Sequence, residues 1–258
     1  MNINLLVEFT KRDFSERYSG SILGVGWGFV SPLVNILIYT LIFSQIMNAR
    51  LPGSVEGLGS YSYSVYLVSG LIPWLAFSNT ILRSSTVYLD KKHIISKVNL
   101  SLFRLPLFIV LSETITFLIT MAIFLVFLLI VDGKFSSAML ILPFVYAVQQ
   151  IFAFAVGFLL AQLVVFIRDL KELTGIIIQL WFWFTPIVYV ITIIPDSLSR
   201  LMVYNPVFQI THVWQSVFVY QTIPDMSGII VIAIVAHLIL LLAFMMYKGL
   251  EKDIRDFL

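Results

Sequence analysis

Residues Leu140–Ile167 read LILPFVYAVQQIFAFAVGFLLAQLVVFI, 28 positions without a charged side chain. A helix needs about 20 apolar residues to cross the ~30 Å hydrocarbon layer of a bilayer. The run is longer than that and carries no period-two alternation, so it reads as a membrane-spanning helix. Five further stretches qualify around it, and in chain order the six are approximately 28–48, 61–82, 105–131, 140–167, 173–194 and 226–247. All are continuous apolar runs, which predicts an all-α bundle of six transmembrane helices rather than a barrel. Pro32, Pro73, Pro143 and Pro186 lie within these runs. Neighbouring helices in a bundle can satisfy the backbone groups that such prolines free.

Composition agrees. Of 258 residues, 60% are hydrophobic and 12% are charged, with mean hydropathy +0.99. A water-soluble domain carries about 25% charged residues, so a soluble enzyme is excluded. Disorder is excluded too, because it needs low hydrophobicity and high net charge. A net charge of +2 offers no case for nucleic acid. The absence of cysteine removes disulfides, thiolate metal sites and cysteine nucleophiles.

Orientation follows from the lysines and arginines. With six spans, both termini and the second and fourth loops share one side. That side holds thirteen of the 16 basic residues, leaving Arg50, Lys134 and Arg200 opposite. Both termini are therefore expected in the cytoplasm. The first 27 residues are charged and lack an early apolar core, so no cleavable signal peptide is expected.

Three segments outside the spans stand out. Residues 3–18 predict an amphipathic surface helix, with Ile3, Leu6, Val7, Thr10, Phe14 and Tyr18 on one face. Glu8, Arg12, Asp13 and Glu16 lie opposite, and Leu5 and Phe9 intrude among them. Such a helix serves either as an interfacial anchor or as a cytoplasmic docking element. The loop 83–104 has five basic residues and a stretch from Ser84 to Lys92 that predicts a short, hydroxyl-capped helix. Its interleaved Tyr88, Leu89, Ile94 and Ile95 suit a surface that meets a partner protein. The stretch 195–225 is divided by Asn205-Pro206 and is rich in aromatic residues, including Trp214. It predicts two short helices lying in or re-entering the outer leaflet, the alternative being simple anchoring by Trp and Tyr at the interface.

No G-x-x-x-x-G-K-[ST] phosphate loop occurs, so ATP is not bound by that route. The glycines at 20, 24, 26 and 28 have the wrong spacing for a dinucleotide fingerprint, and close helix packing is the better account of them. His93, His212 and His237 are scattered without metal-ligand spacing, so no metal and no catalytic residue are expected. Glu113 is the only acidic residue well inside a span. An intramembrane carboxylate invites a functional reading, here a proton-coupled carrier. A structural pairing, with Arg83 or a backbone group, is the reading favoured. Span five offers Trp181, Phe182, Trp183 and Phe184, and span one offers Asn35, Tyr39, Phe43 and Gln45. Aromatic faces with nearby amides suit a pathway for a polar, uncharged solute such as a sugar chain. Packing within the bundle is the alternative.

Arg12-Asp13, Arg17-Tyr18, Ser21, Leu23-Gly24, Trp27 and Pro32-Leu33 resemble the R-D-x-x-x-R-Y-x-x-S-x-L-G-x-x-W-x-x-x-x-P-L signature of type-2 ABC exporter permeases. The resemblance is to those exporting O-antigen, capsule or teichoic-acid polysaccharides. Gly70-Leu71-Ile72-Pro73-Trp74 with Phe77, Arg168-Asp169, Pro186-Ile187 with Tyr189, and Asn205-Pro206 extend it over essentially the whole chain, in order. The chain departs from the pattern at Asn99-Leu100-Ser101, where such permeases often carry Phe-Pro.

The resemblance implies a homodimeric permease of the bacterial inner membrane, energised by two copies of a separate cytoplasmic ATPase that binds ATP and Mg. Residues 3–18, with Arg12, Asp13, Arg17 and Tyr18, would form the interface helix. Tyr88, Leu89, Asp90 and Lys91 would lie near the ATPase contact, in a coupling helix. Asn205, Pro206 and Trp214 would belong to external gate helices. A lipid-linked polysaccharide would pass Tyr39, Phe43, Trp181, Trp183 and Phe184 at the dimer interface. A drug or lipid exporter of the same family is the alternative within it.

Overall fold

A computed structural model describes residues 3–17, 19–46, 51, 56–97, 101–131 and 135–258, and no strand occurs among them. The helices in chain order are α1 (Ile3–Arg17), α2 (Trp27–Thr40, prolonged by a π-helical turn Leu41–Ile46), α3 (Ser62–Asp90), α4 (Lys92–Ile95) and α5 (Leu107–Val131). They continue with α6 (Leu142–Phe166), α7 (Leu170–Trp183), α8 (Asp196–Met202), α9 (Pro206–Gln215, prolonged by a π-helical turn Ser216–Tyr220) and α10 (Ser227–Phe257).

Among the described residues four helices, α3, α5, α6 and α10 with their short flanking turns, are long and apolar enough to cross a membrane. α2 and α7, which begin the stretches expected as the first and fifth spans, are shorter. α3 runs through the middle, packed along α5, α6 and α9, and α10 lies along α6. The more hydrophobic helices, α5 and α10, bury the least of their surface, whereas α3 and α6 with their serines and glutamines are mostly enclosed. This inverts the rule for proteins in water, as it must when hydrocarbon is the solvent outside. The fold is that of a membrane-embedded helical protein.

Several boundaries differ from those expected. The helix of 61–82 does not stop at Leu82 but continues to Asp90, so Ser84–Asp90 prolong α3 instead of starting a separate coupling helix. The separate short helix is α4, one residue further on. Because α3 continues, Tyr88 falls on the same face as Ile81 and Ser84 and is fully buried. Ile95 is buried beside it, in a cluster with Leu102, Leu105, Phe108 and Phe158. These apolar residues of the loop are thus used within the chain, not offered to a partner.

α1 is rotated from the expected orientation. Leu5, Leu6 and Phe9 pack inward, with Phe9 stacked on Phe108 at 5.6 Å. Asp13 is buried, while Val7 is exposed. Tyr18, Asn99 and Leu100 lie outside the described residues. Gly20 (φ 79°) and Gly24 (φ 50°) hold left-handed conformations in the turn between α1 and α2, with open space around them. They serve the turn rather than close helix packing.

Candidate functional site

Two arrangements organise this body, about 25 Å apart along α3 at 1.5 Å per residue. One is ionic. Glu113, near the start of α5, is only 2% exposed. Its Oε1 accepts from Arg83 Nη1 of α3 at 2.5 Å and from Arg17 Nη2 of α1 at 2.7 Å. Arg83 also donates to Asp13, which accepts from Ser112 as well. Asp13 and Arg17, one turn apart on α1, approach to 3.5 Å. Arg17 Nη1 reaches Thr116 Oγ1 at 3.3 Å.

Two guanidiniums thus meet two carboxylates, the cluster is neutral, and it joins α1, α3 and α5. Such a cluster tolerates burial because each charge meets two opposite ones. The structural pairing of Glu113 with Arg83 is what the structure holds. Asp13 and Arg17 supply the other half of the cluster, whereas Arg12 stays outside and pairs with Glu16 at 2.6 Å.

The second arrangement surrounds a break in the fifth apolar run. The helix expected over 173–194 ends at Trp183. Pro186 has no N–H to donate and steers Thr185 away from helical geometry, so α7 cannot continue. Non-helical backbone at membrane depth survives only when its polar groups find partners. Here side chains of α3 and α9 provide them. The carbonyl of Pro186 accepts from Tyr66 Oη and from Gln215 Nε2, each at 3.1 Å. That of Val188 accepts from Tyr63, and that of Tyr189 accepts from Tyr66 at 3.1 Å. Tyr189 Oη in turn donates to the Trp183 carbonyl at 2.7 Å.

Asn205 completes the arrangement. Its Oδ1 caps α9 by accepting from the amides of Val207 (3.0 Å) and Phe208 (3.3 Å), and it also accepts from Trp181 Nε1 at 2.8 Å. Its Nδ2 donates to Thr185 Oγ1 at 3.1 Å. Pro206 follows at the first helical position, where a missing N–H costs nothing. Asn205-Pro206 therefore starts α9 and holds it to the break in α7.

Trp183 and Phe184 lie at the end of α7, 58% and 64% exposed. Trp181 points the other way, edge-on to Phe77 at 5.7 Å, and its role within the chain is packing and the bond to Asn205. Tyr39 and Phe43 are half-buried, Phe43 lying 5.0 Å from Tyr63. Trp214 is buried in α9, which packs among α3, α6 and α10. It re-enters the body and does not anchor at an interface.

Of the residues expected near an ATPase, Asp90 is exposed and accepts from Thr86 at 2.7 Å. Lys91 reaches back to Glu16 at 3.1 Å, and Leu89 is half-buried. Tyr88 is closed off, its hydroxyl donating to the Leu102 carbonyl at 2.9 Å. Exposed Lys92, His93 and Lys97 come next along the chain. Reading the sequence missed Tyr63, Tyr66 and Gln215. The available signal was a proline inside a span facing runs that contain hydroxyls and amides.

Comparison with known proteins supplies the rest. The family model described as ABC-2 type transporter matches residues 4–219. The chain is 26% identical over 255 residues to the O-antigen export system permease protein RfbA of Myxococcus xanthus, covering 98% of this chain and 94% of the relative. Two proteins of the same description from Klebsiella pneumoniae are 32% identical over 222 residues and 30% identical over 216. Those alignments cover 85% and 83% of this chain and 82% and 80% of the relatives. The family match takes in both the ionic cluster and the broken helix, and the chain belongs to the ABC-2 type transporter family.

Proposed function

We propose that the chain is the permease subunit of an ATP-driven exporter of a lipid-linked, O-antigen-like polysaccharide. It works as a homodimer in the bacterial inner membrane with both termini cytoplasmic, and binds no cofactor itself. Two copies of a cytoplasmic ATPase bind ATP and Mg. The observation that carries this reading is the near end-to-end similarity to O-antigen export permeases. The exposed Trp183 and Phe184 support it, because aromatic faces suit the C–H faces of sugar rings and the break at Pro186 leaves them unenclosed by their own chain. Asp90, Lys92 and His93, exposed at the α3–α4 turn, are the side chains on offer to the ATPase. The double hold of Arg17 and Arg83 on Glu113 supports a structural role for that carboxylate over proton carriage.

The test uses cells that depend on this chain and its ATPase for surface polysaccharide. Trp183→Ala with Phe184→Ala should abolish export while the complex still assembles and hydrolyses ATP, since exposed substitutions change stability little. Unchanged export would remove these rings from the pathway. Polysaccharide export that persists without the ATPase would remove the ATP-driven reading itself.

A further inference from the structure

α5 and α6 are consecutive in the chain, yet they meet only sparsely. Between them is a cavity of about 490 Å³. Its walls include Phe117 and Met121 of α5 and Leu142 and Tyr146 of α6, and its floor includes Trp214 of α9 and Phe218 of the turn after it. Phe117 stacks on Tyr146 at 4.0 Å and meets Trp214 edge-on at 5.5 Å, which keeps this back wall aromatic and closed. The rim is apolar and exposed, with Leu118, Phe135 and Leu140 lining the mouth.

We infer that this cavity is a binding site for one acyl chain of a bilayer phospholipid. Four observations lead there. The lining is almost wholly carbon, and the rim is continuous with the outer faces of two helices long and apolar enough to cross a membrane. The occupant therefore arrives from hydrocarbon, not from water. The size is right, because at about 30 Å³ per small group in a liquid the space holds on the order of sixteen heavy atoms, one chain's worth. A void of this size would forfeit dispersion contacts along every wall. Finally, Phe117, Met121 and Leu142 on the walls are buried, whereas Leu118, Phe135 and Leu140 on the rim are exposed. The acyl chain fills the space between the two helices, from Thr114, the residue next to Glu113, out to Leu125 of α5.

The experiment places the full chain with its ATPase in vesicles of phosphatidylethanolamine and phosphatidylglycerol. The vesicles are doped with a phosphatidylcholine carrying a diazirine midway along one acyl chain, and labelled residues are mapped after photolysis. Label is expected on Phe117 and Met121, both buried, as well as on exposed Leu238 and Leu241 of α10. Filling the cavity with Leu118→Trp and Met139→Phe should abolish the first pair of labels and leave the α10 labels, which also report that the variant is folded. Excess unlabelled phospholipid should compete with the label at least as well as an isoprenyl phosphate does. Labelling confined to α10 and other outward positions in the unmodified chain would overturn the site, whether or not the filled variant folds. Preferential displacement by the isoprenyl phosphate would overturn the assignment of the occupant.

Discussion

At one end of α3, α1 is held to α3 and α5 by two guanidiniums and two carboxylates; at the other, the broken end of α7 is held to α3 and α9 by neutral hydroxyls and amides. Both arrangements hold a helix shorter than the four long apolar ones. They differ in how much the loss of one member costs. Removing one partner from a buried ionic group leaves an uncompensated charge, at about 3–5 kcal/mol. Removing one neutral partner strands a single donor or acceptor, at about 1–3 kcal/mol. The ionic end should therefore fail as a unit, and the neutral end should weaken by steps.

Glu113→Gln is the sharpest way to test that difference. It leaves Arg17 and Arg83 sharing one carboxylate, and the thermal midpoint in detergent should fall by the equivalent of about 4 kcal/mol. A double variant, Arg83→Met with Glu113→Leu, removes one charge of each sign and leaves the Asp13–Arg17 pair, so its loss should be well below the sum of the two single losses. Additive losses would mean that the four charges do not act together. Transport measured on Glu113→Gln also separates the readings of this carboxylate. Loss of proton-driven uptake with intact ATP-dependent export would make Glu113 a carrier group after all.

At the neutral end the expected losses are smaller and partly shared. Trp181→Ala removes a ring packed on Phe77 together with the donor to Asn205, for about 3 kcal/mol. Asn205→Ala removes the cap of α9 and the tie to Thr185, for about 2 kcal/mol. The two share a hydrogen bond, so the double variant should lose less than the sum. Chemical denaturation of the reconstituted chain would measure all three. A Trp181→Ala variant with unchanged stability would return that ring to the substrate pathway.

The two ends are not equally legible in the sequence. A charge inside a span is conspicuous, so Glu113 can be singled out and Arg83 proposed for it. Asp13 cannot, because hydrophobic periodicity assigns a carboxylate to the outer face of α1 and says nothing about a guanidinium waiting on α3. The spacing of Asp13 and Arg17, one turn apart, is visible but fits an ordinary surface pair equally well. Pro186 announces a disturbance in the fifth run, yet Tyr63, Tyr66 and Gln215 carry no mark of their task, since tyrosines and amides also pack and belt bundles elsewhere. Asn205-Pro206 is readable as a helix start, but not as a helix lodged in the interior. Likewise Tyr88 and Ile95 resemble a sticky surface only because the continuation of α3 beyond Leu82 hides in a stretch with the composition of a loop. Spans are legible because bilayer thickness imposes them on every segment alone. Which faces meet depends on pairs of segments, and a single sequence does not state the pairs.

The smallest expected effect lies on the solvent side of α1 and sharpens the comparison from outside. Glu16 accepts from Arg12 at 2.6 Å and from Lys91 at 3.1 Å, the second contact tying α1 to the α3–α4 turn. The hydrogen bond from Arg12 first, then that from Lys91, holds its carboxyl below the usual glutamate value of 4.5. A carboxylate whose folded value is depressed contributes stability that is fully present above its unfolded value and lost as pH falls through the folded one. Loosening from this group should therefore appear only below about pH 4.5. It should be local, because an exposed pair is screened by water and salt. Amide exchange in α1 and residues 88–95 should quicken over that range at low salt while the global melting midpoint hardly moves. Glu16→Gln should show the quickened exchange at every pH. If the variant instead keeps a pH-dependent loosening of α1, the Glu16 contacts are not what ties α1 to the α3–α4 turn.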